Sequence, residues 1–174
     1  MKYRTIVVDP PWAYRQRRPG EAPTYRVEAV AEIAAMPIGD YADADAHMYL
    51  WTTNAFMCEA HDLMKAWGFE QKTILTWIKA PIRLGYWFRN NTEHVLFGVR
   101  GTLAALRKDC PTAFFAVSGR HSEKPQAFYD MVETMSPGPY LDVFARKQRM
   151  GWDVAGNEVY SVIPELAAKG ESHE

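Results

Sequence analysis

A carboxylate, two prolines and an aromatic ring occupy consecutive positions in Asp9-Pro10-Pro11-Trp12, directly after the apolar run Thr5-Ile6-Val7-Val8. Proline lacks an N–H and has a fixed φ, and the residue before it favours an extended backbone. The pattern therefore predicts a strand that stops abruptly and presents the Asp9 carboxylate beside the backbone carbonyls of Asp9 and Pro10. A carboxylate, a free carbonyl and a flat ring together form a receptor for a planar amine. The alternative is a structural Pro-Pro turn with a core tryptophan.

A second carboxylate lies near the end of a later apolar run, in Asp142-Val143-Phe144. Ligands of open α/β sheets bind beyond the carboxyl ends of the strands. We therefore expect Asp9 and Asp142 on one rim, which would suit two ligands. The alternative for Asp142 is an ion pair with Arg146 at the strand end.

The elements that must position these groups follow from the apolar patterns. Helical spacing predicts helices over residues 27–36, 55–67 and 125–135, with a shorter one at 152–154. Alternation of strands and helices favours an α/β fold, and the lack of a helix between residues 79 and 93 predicts a partly antiparallel sheet. Strands are predicted at 3–8, 47–52, 72–78, 93–99, 113–117, 140–144 and 159–163.

Composition limits the classes of protein to consider. A chain of 174 residues suits one domain, here residues 1–164, followed by a polar, frayed tail at 165–174. The net charge of −1 gives no global positive field for nucleic acid, so such contacts must come from local basic loops. Cys58 and Cys110 lie far apart, which predicts reduced thiols in a cytoplasmic protein and no metal site. No apolar run is long enough to span a membrane.

Three basic loops are candidates for contacting a nucleic acid strand. Arg17 and Arg18 follow the Asp-Pro-Pro-Trp turn, and Trp87 and Arg89 belong to a loop that interleaves arginines with aromatic rings. The third loop is Arg120-His121-Ser122-Glu123-Lys124. A loop of this kind taken alone is more often a solvated surface loop, but the three together would flank one predicted pocket. Lys79, at a predicted strand end, is either a site residue or simply a polar residue that marks the end of the strand.

Several segments of the chain resemble segments of one protein family, and they occur in the same order as in that family. The turn Asp9-Pro10-Pro11-Trp12 and its strand are similar to the signature of the MT-A70 family of adenine-amine methyltransferases. The resemblance runs from about Tyr3 to Ile163. The other similar segments are Tyr49-Leu50-Trp51-Thr52, Thr76-Trp77-Ile78-Lys79, Glu93-His94-Val95-Leu96, Lys124-Pro125-Gln126, Asp142-Val143-Phe144-Ala145-Arg146 and Gly151-Trp152-Asp153 through Glu158.

The resemblance implies a Rossmann-like methyltransferase fold, with a mixed seven-stranded sheet flanked by helices and a permuted order: catalytic motif first, cofactor motif late. It implies transfer of a methyl group from S-adenosylmethionine to the N6 amine of adenine. The implied catalytic residues are Asp9, Pro10, Pro11 and Trp12. The implied cofactor-binding residues are Asp9, Asp142, Phe144, Arg146, Asn157 and Glu158, and the candidate substrate-binding residues are Trp12, Tyr25, Arg17, Arg18, Lys79, Trp87 and Arg89.

The expected partner is an adenine of DNA or RNA, flipped out or single-stranded, with DNA favoured because the compact chain resembles bacterial and phage members. A homo- or heterodimer would help a small domain to grip a strand, and no membrane partner is expected. Two alternatives stay open. One is methylation of another planar amine, of cytosine or of a protein glutamine. The other is a catalytically silent nucleic-acid-binding subunit, although such subunits usually lose the acidic or aromatic residue of the turn, and Asp9 and Trp12 are both present.

Overall fold

The computed structural model describes residues 1–12, 29–80, 88–117, 123–156 and 159–166. A central sheet and helices on both of its faces make up this part of the chain. The strands are β1 (Tyr3–Val8), β2 (Ala42–Thr52), β3 (Glu70–Ala80), β4 (Thr92–Arg100), β5 (Ala113–Val117), β6 (Tyr140–Val143) and β7 (Trp152–Ala155). The helices are α1 (Val30–Ala34), α2 (Met57–Ala66) and α3 (Gln126–Met135), with 3₁₀ turns at Ile38–Tyr41, Asn54–Phe56 and Pro164–Leu166.

The strand order places the functional end of the sheet. The seven strands lie in the order β5-β3-β4-β2-β1-β6-β7. All neighbouring pairs are parallel except the two that involve β4. The carboxyl ends of six strands therefore share one edge of the sheet with the beginning of β4. We call this edge the carboxyl edge.

Alternating side chains of the strands build a separate core on each face of the sheet. Ile6 and Val8 of β1 pack on the same side as Leu63 of α2. Val7 lies on the opposite side in a cluster with Phe128 of α3. This division follows from the two-residue period of a strand, which turns successive side chains to opposite faces. Because both of its faces are covered, β1 lies in the middle of the molecule, and its position fixes the start of the turn at Asp9.

The fold class is confirmed: the structure is an α/β fold with a mixed seven-stranded sheet, consistent with a Rossmann-like methyltransferase. The runs predicted at residues 3–8 and 113–117 coincide with β1 and β5, and four others overlap β2, β3, β4 and β6. The predicted helix at 27–36 is shorter, because α1 covers Val30–Ala34; residues 27 and 28 lie outside the described residues.

The prediction for the last strand was wrong. The seventh strand is β7, at residues expected to form a short helix, and residues 159–163 contribute one backbone hydrogen bond to the sheet, from Val162 N–H to the Val154 carbonyl (3.0 Å). Trp152 and Val154 are buried while Asp153 is only partly so, the alternation of a strand, and Asp153 accepts a hydrogen bond from Tyr3 Oη (2.7 Å). Four residues are too few to distinguish that alternation from a turn of helix.

Residues Pro164–Leu166 form a 3₁₀ turn at the predicted boundary between the domain and the polar tail. Leu166 is fully buried in the core that also contains residues of α1 and β1. Residues 167–174 lie outside the described residues. In the described part, no helix is long and apolar enough to cross a membrane.

Candidate active site

The Asp-Pro-Pro turn leaves the sheet at the carboxyl edge, between β2 and β6. The Asp9 amide donates to the Val143 carbonyl of β6 (3.2 Å), which extends the β1–β6 pairing by one bond and fixes the backbone under the carboxylate. The Pro10 carbonyl accepts from the Trp12 amide (2.9 Å). A carbonyl oxygen has two lone pairs, so this bond leaves Pro10 with capacity to accept a second hydrogen.

Four side chains of alternating charge form a row along the carboxyl edge, which we call the charge row: Lys79, Glu93, Lys124 and Asp9. Lys124 Nζ lies 2.7 Å from Asp9 Oδ2 and 3.4 Å from Glu93 Oε2. Glu93 also pairs with Lys79. The Lys124 side chain is only 9% exposed, and its ammonium lies 4.9 Å from the centroid of the Trp51 ring. Lys124 is thereby held between two carboxylates and an aromatic face.

The charge row determines which of its members stay ionised. Burial raises the pKa of Asp9, although the Lys124 ammonium beside it acts in the opposite direction. Burial would lower the pKa of Lys124, but the carboxylates of Asp9 and Glu93 outweigh it and raise that pKa. For Glu93, the two ammonium groups outweigh the effect of burial and lower the pKa. The ammonium of Lys124 is therefore the charge that keeps a carboxylate in this half-buried position.

Trp12 is held more firmly than a freely stacking ring would be. It is 7% exposed, and its indole N–H donates to the Trp51 carbonyl (3.2 Å). One face of the ring stacks on Phe56, with centroids 5.0 Å apart. The tryptophan of the turn thus anchors Asp9 and Pro10 to β2 as well as bordering the site.

The second predicted carboxylate, Asp142, lies at the end of β6 next to β1. It is 4% exposed and accepts a hydrogen bond from Tyr129 Oη (2.8 Å). The Arg149 guanidinium carbon lies 3.5 Å from the centroid of the Tyr129 ring, and Arg149 also donates to Gln126 Oε1 (2.6 Å). Burial raises the pKa of Asp142 to about 7.

The chain turns sharply after β6 and lines the cleft with three consecutive residues. Phe144 has a φ of 65°, a left-handed conformation that costs a bulky residue about 1–3 kcal/mol. Among the described residues it is the only one other than glycine with a positive φ. The turn brings Ala145 against Gly156 after β7, where a Cβ on Gly156 would lie 2.3 Å from the Ala145 carbonyl oxygen. Strain and close approach together fix the floor of the cleft.

An open cleft joins the two carboxylates, with about 420 Å³ of empty space when the open solvent at its mouth is included. Its lining combines anionic, cationic and aromatic groups. The lining residues are Asp9, Glu123, Lys124, Tyr129, Asp142, Phe144, Ala145, Arg146, Lys147 and Arg149.

The structure brings together much of the site expected from the sequence. Asp9, Asp142, Phe144 and Arg146 line one cleft, and Pro10 and Trp12 adjoin it through the turn. Lys79 lies at the same edge as part of the charge row, whereas Arg89 is exposed beside the beginning of β4. Tyr25, Arg17, Arg18, Trp87, Asn157 and Glu158 lie outside the described residues.

Lys124 corrects one interpretation of the sequence. It was assigned to a basic surface loop, but its buried ammonium pairs with Asp9 and is not presented to a phosphate backbone. Sequence reasoning gave no site role to Glu93, Tyr129 or Arg149 either. Neither Lys124 nor Glu93 is marked by a local pattern, and Glu93 reaches the site only because β4 runs in the opposite direction to its neighbours.

The described residues contain no group of three or more His, Cys, Asp or Glu side chains that could hold a metal ion. Cys58 is exposed and Cys110 half-buried, and both are free thiols.

Comparison with known proteins gives one family and a consistent set of relatives. The MT-A70 family model matches residues 3–158. The type II methyltransferase M.MunI of Mycoplasma sp is 27% identical over 197 residues, which cover 99% of this chain and 84% of that protein. An N(6)-adenosine-methyltransferase MT-A70-like protein of Drosophila melanogaster is 29% identical over 95% of this chain, and the catalytic subunit METTL3 of Homo sapiens is 26% identical over 97% of it. The matched regions span only 29% and 30% of those two proteins.

Proposed function

This chain belongs to the MT-A70 family, and from that premise we propose that it transfers a methyl group from S-adenosylmethionine to the exocyclic N6 amine of adenine in a nucleic acid. The observation that carries the proposal is the meeting of Asp9 and Asp142 in one cleft. One carboxylate is at the Pro-Pro turn suited to an amine, and the other is at a strand end suited to a nucleoside.

The residues of the cleft fit the cofactor. Asp142 offers a buried carboxylate as an acceptor for ribose hydroxyls, and Phe144 and Arg146 border the same space. By the family resemblance, Asn157 and Glu158 complete the set. When bound, S-adenosylmethionine supplies the electrophilic methyl group. The protein's contribution is to hold the acceptor amine in line with that group, and positioning of this kind supplies roughly 7–11 kcal/mol.

Asp9 and the Pro10 carbonyl act on the acceptor amine in this proposal. Each accepts one N–H, which orients the nitrogen and favours a pyramidal form with its lone pair released from the ring. As the nitrogen gains positive charge, the fixed carboxylate and carbonyl dipole stabilise it, and the methylated nitrogen then releases one of its protons to solvent. Lys124 holds Asp9 by Oδ2, which leaves Oδ1 as the oxygen we assign to the amine.

We favour DNA over RNA as the substrate. Support comes from the match to M.MunI along most of that protein's length, compared with under a third of the two N(6)-adenosine-methyltransferases. Lys79 belongs to the charge row, and Arg89 lies in the exposed segment just before β4. We propose that both contact the nucleic acid strand, together with Arg17, Arg18, Tyr25 and Trp87. We also propose that the protein forms a dimer in which both subunits contribute to binding the nucleic acid strand.

The test is transfer of a labelled methyl group to oligonucleotides of matched sequence, single- and double-stranded, as DNA and as RNA. The modified nucleoside is identified by mass spectrometry after digestion. We expect N6-methyladenine in DNA. Methylated cytosine would support the other planar amine, and methylated RNA alone would reverse the choice of substrate. Failure to bind S-adenosylmethionine by calorimetry would support the silent-subunit alternative and overturn the proposal.

Asp9→Ala is the decisive variant in this assay. We expect turnover to fall by at least about a thousandfold, because the acceptor loses its fixed carboxylate, while cofactor binding measured by calorimetry stays largely intact. The matched control is Asp62→Ala, which removes an exposed carboxylate of α2 and leaves turnover unchanged. Full activity of Asp9→Ala would overturn the mechanism.

A further inference from the structure

Tyr129 was not among the expected site residues, yet its hydroxyl reaches the Asp142 carboxylate. Tyr129 lies in the first half of α3 and is 8% exposed. Its Oη donates to Asp142 Oδ2 at 2.8 Å, and both residues line the cleft. Within the part of the chain that the structure describes, it is the side-chain donor to that carboxylate.

The ring of Tyr129 is itself fixed from two sides. The Arg149 guanidinium carbon lies over it, 3.5 Å from the centroid, and Gln126, one turn earlier on α3, accepts from the same arginine. Trp152 of β7 packs edge-on to the ring, with centroids 5.5 Å apart. A phenol held in this way presents its hydroxyl in one direction, so the hydrogen bond to Asp142 is preorganised.

We propose that Tyr129 is a positioning residue for ligand binding at Asp142: its hydroxyl fixes one carboxylate oxygen and favours the ionised form, so that the other oxygen accepts from the vicinal hydroxyls of a ribose. The inference rests on the proposed function, because it takes the nucleoside end of S-adenosylmethionine as the ligand. It adds a residue of α3 to a site otherwise built from strand ends and loops.

The charges around Asp142 make this role measurable. Burial raises the pKa of Asp142 to about 7; Asp9, from the end of β1, acts in the same direction. The Tyr129 hydrogen bond, Arg149 after β6 and Lys124 before α3 lower it. A protonated Asp142 has one oxygen that donates and less capacity to accept, so ligand affinity should fall as the pH drops below this range. Removing the Tyr129 hydroxyl should therefore raise the pH at which affinity is lost.

The experiment measures the dissociation constant of S-adenosylhomocysteine by calorimetry between about pH 5 and pH 9, which spans the titration of a perturbed carboxyl group. We expect Tyr129→Phe to weaken binding about tenfold at neutral pH, as for a lost hydrogen bond to a charged group, and to move the break in affinity to higher pH. The control is Tyr140→Phe, which removes a hydroxyl bonded to the Ser136 carbonyl outside the cleft. It should change neither quantity.

A double-mutant cycle separates positioning from packing. Asp142→Asn cannot ionise, so Tyr129→Phe in that background should leave the pH dependence unmoved, and the two effects on affinity should be far from additive. If wild type binds and Tyr129→Phe weakens binding equally at every pH, Tyr129 is a packing residue and the inference is overturned. If wild type fails to bind S-adenosylhomocysteine at all, it is the proposed function that fails. The two failures are therefore distinguishable.

Discussion

Each carboxylate at the site owes its charge to a neighbour. Asp9 is one-fifth exposed, and its ordinary ionisation depends on the ammonium of Lys124, which is itself almost buried. The two cations and two anions of the charge row cancel, so the row itself carries no net charge. The ionisation of Asp9 at a given pH is therefore set by the members of the row as a group.

Lys124→Met tests this dependence. The change removes the nearest cation from Asp9 and leaves it with Glu93 nearby, so the pKa of Asp9 rises further. The acid limb of the pH–rate profile should move to higher pH, because a protonated Asp9 cannot accept from the amine. Stability should fall by about 2 kcal/mol, less than for a fully buried pair since Asp9 keeps some exposure. A pH–rate profile and urea unfolding measure the two effects.

Lys124→Arg is the matched control, because it keeps the positive charge. It should retain most of the stability and place the acid limb near that of wild type. An unchanged acid limb in Lys124→Met would show that Asp9 does not depend on the pair.

Distance along the chain explains why a site role was predicted for Asp9 from the sequence but not for Lys124 and Glu93. The two prolines restrict the backbone locally, so the chemistry of Asp9 can be inferred within four residues. Glu93 and Lys124 are 84 and 115 residues away from it along the chain, as the numbering gives directly. They meet Asp9 only through strand order, which no local pattern specifies.

At the level of elements, the shape of the cleft at the carboxyl edge depends on the close approach of the segments after β6 and β7. Gly156 permits that approach, since a Cβ would lie 2.3 Å from the carbonyl oxygen of Ala145 and 2.9 Å from its nitrogen. Both contacts are to backbone, which cannot rotate away as a side chain would.

Gly156→Ala should therefore separate the two segments and displace Ala145, a lining residue of the cleft. We expect the affinity for S-adenosylmethionine to fall at least about tenfold, because a shift of about 1 Å at the floor of a site is costly. Calorimetric titration measures the loss.

The control is Gly98→Ala, whose Cβ would lie 2.5 Å from Met64 Sδ in the core beneath α2. It should lose about 1–3 kcal/mol of stability through overpacking and keep its cofactor affinity. Equal losses of affinity in the two variants would assign the effect of Gly156→Ala to general destabilisation.

Helices and strands could be predicted where they were long enough for the spacing of their apolar residues to show a helical or a strand period. The β-branched run of β1 and the helical spacing before Trp67 gave correct assignments. Trp152-Asp153-Val154-Ala155 did not, because one turn of helix and a four-residue strand bury similar subsets of side chains. Its partner β6 decides the outcome, and pairing with β6 is a tertiary contact.

For the molecule as a whole, charge balance restricts how a nucleic acid can be held. The net charge of −1 means that any attraction to phosphates is local. The sequence predicts that role for basic loops, of which the run Arg15-Gln16-Arg17-Arg18 follows the Asp-Pro-Pro-Trp turn most closely.

Replacing Arg17 and Arg18 by alanine should weaken oligonucleotide binding. If each neutralises one phosphate, the slope of log affinity against log salt should become shallower by about 1.4–1.8 units, depending on whether the strand is single or double. Fluorescence anisotropy over a salt series gives the slope. Lys2→Ala and Lys72→Ala together remove the same charge from exposed positions near the other end of the sheet and should leave it unchanged. No change in slope for the arginine pair would exclude this loop from the interface.

The pairing of β1 with β6 has a consequence for the order in which the molecule can be assembled. Val7 faces Asp142 in that pairing, so the first strand of the chain acquires one of its two neighbours only after some 135 further residues have been synthesised. Until then β1 has an unpaired edge, and contacts so distant in sequence form late and slowly. During synthesis, Asp9 is therefore made long before Asp142, the second carboxylate of the cleft. A nascent chain that stops short of β6 carries Asp9 on a strand with an open edge, and unpaired strand edges are prone to aggregation.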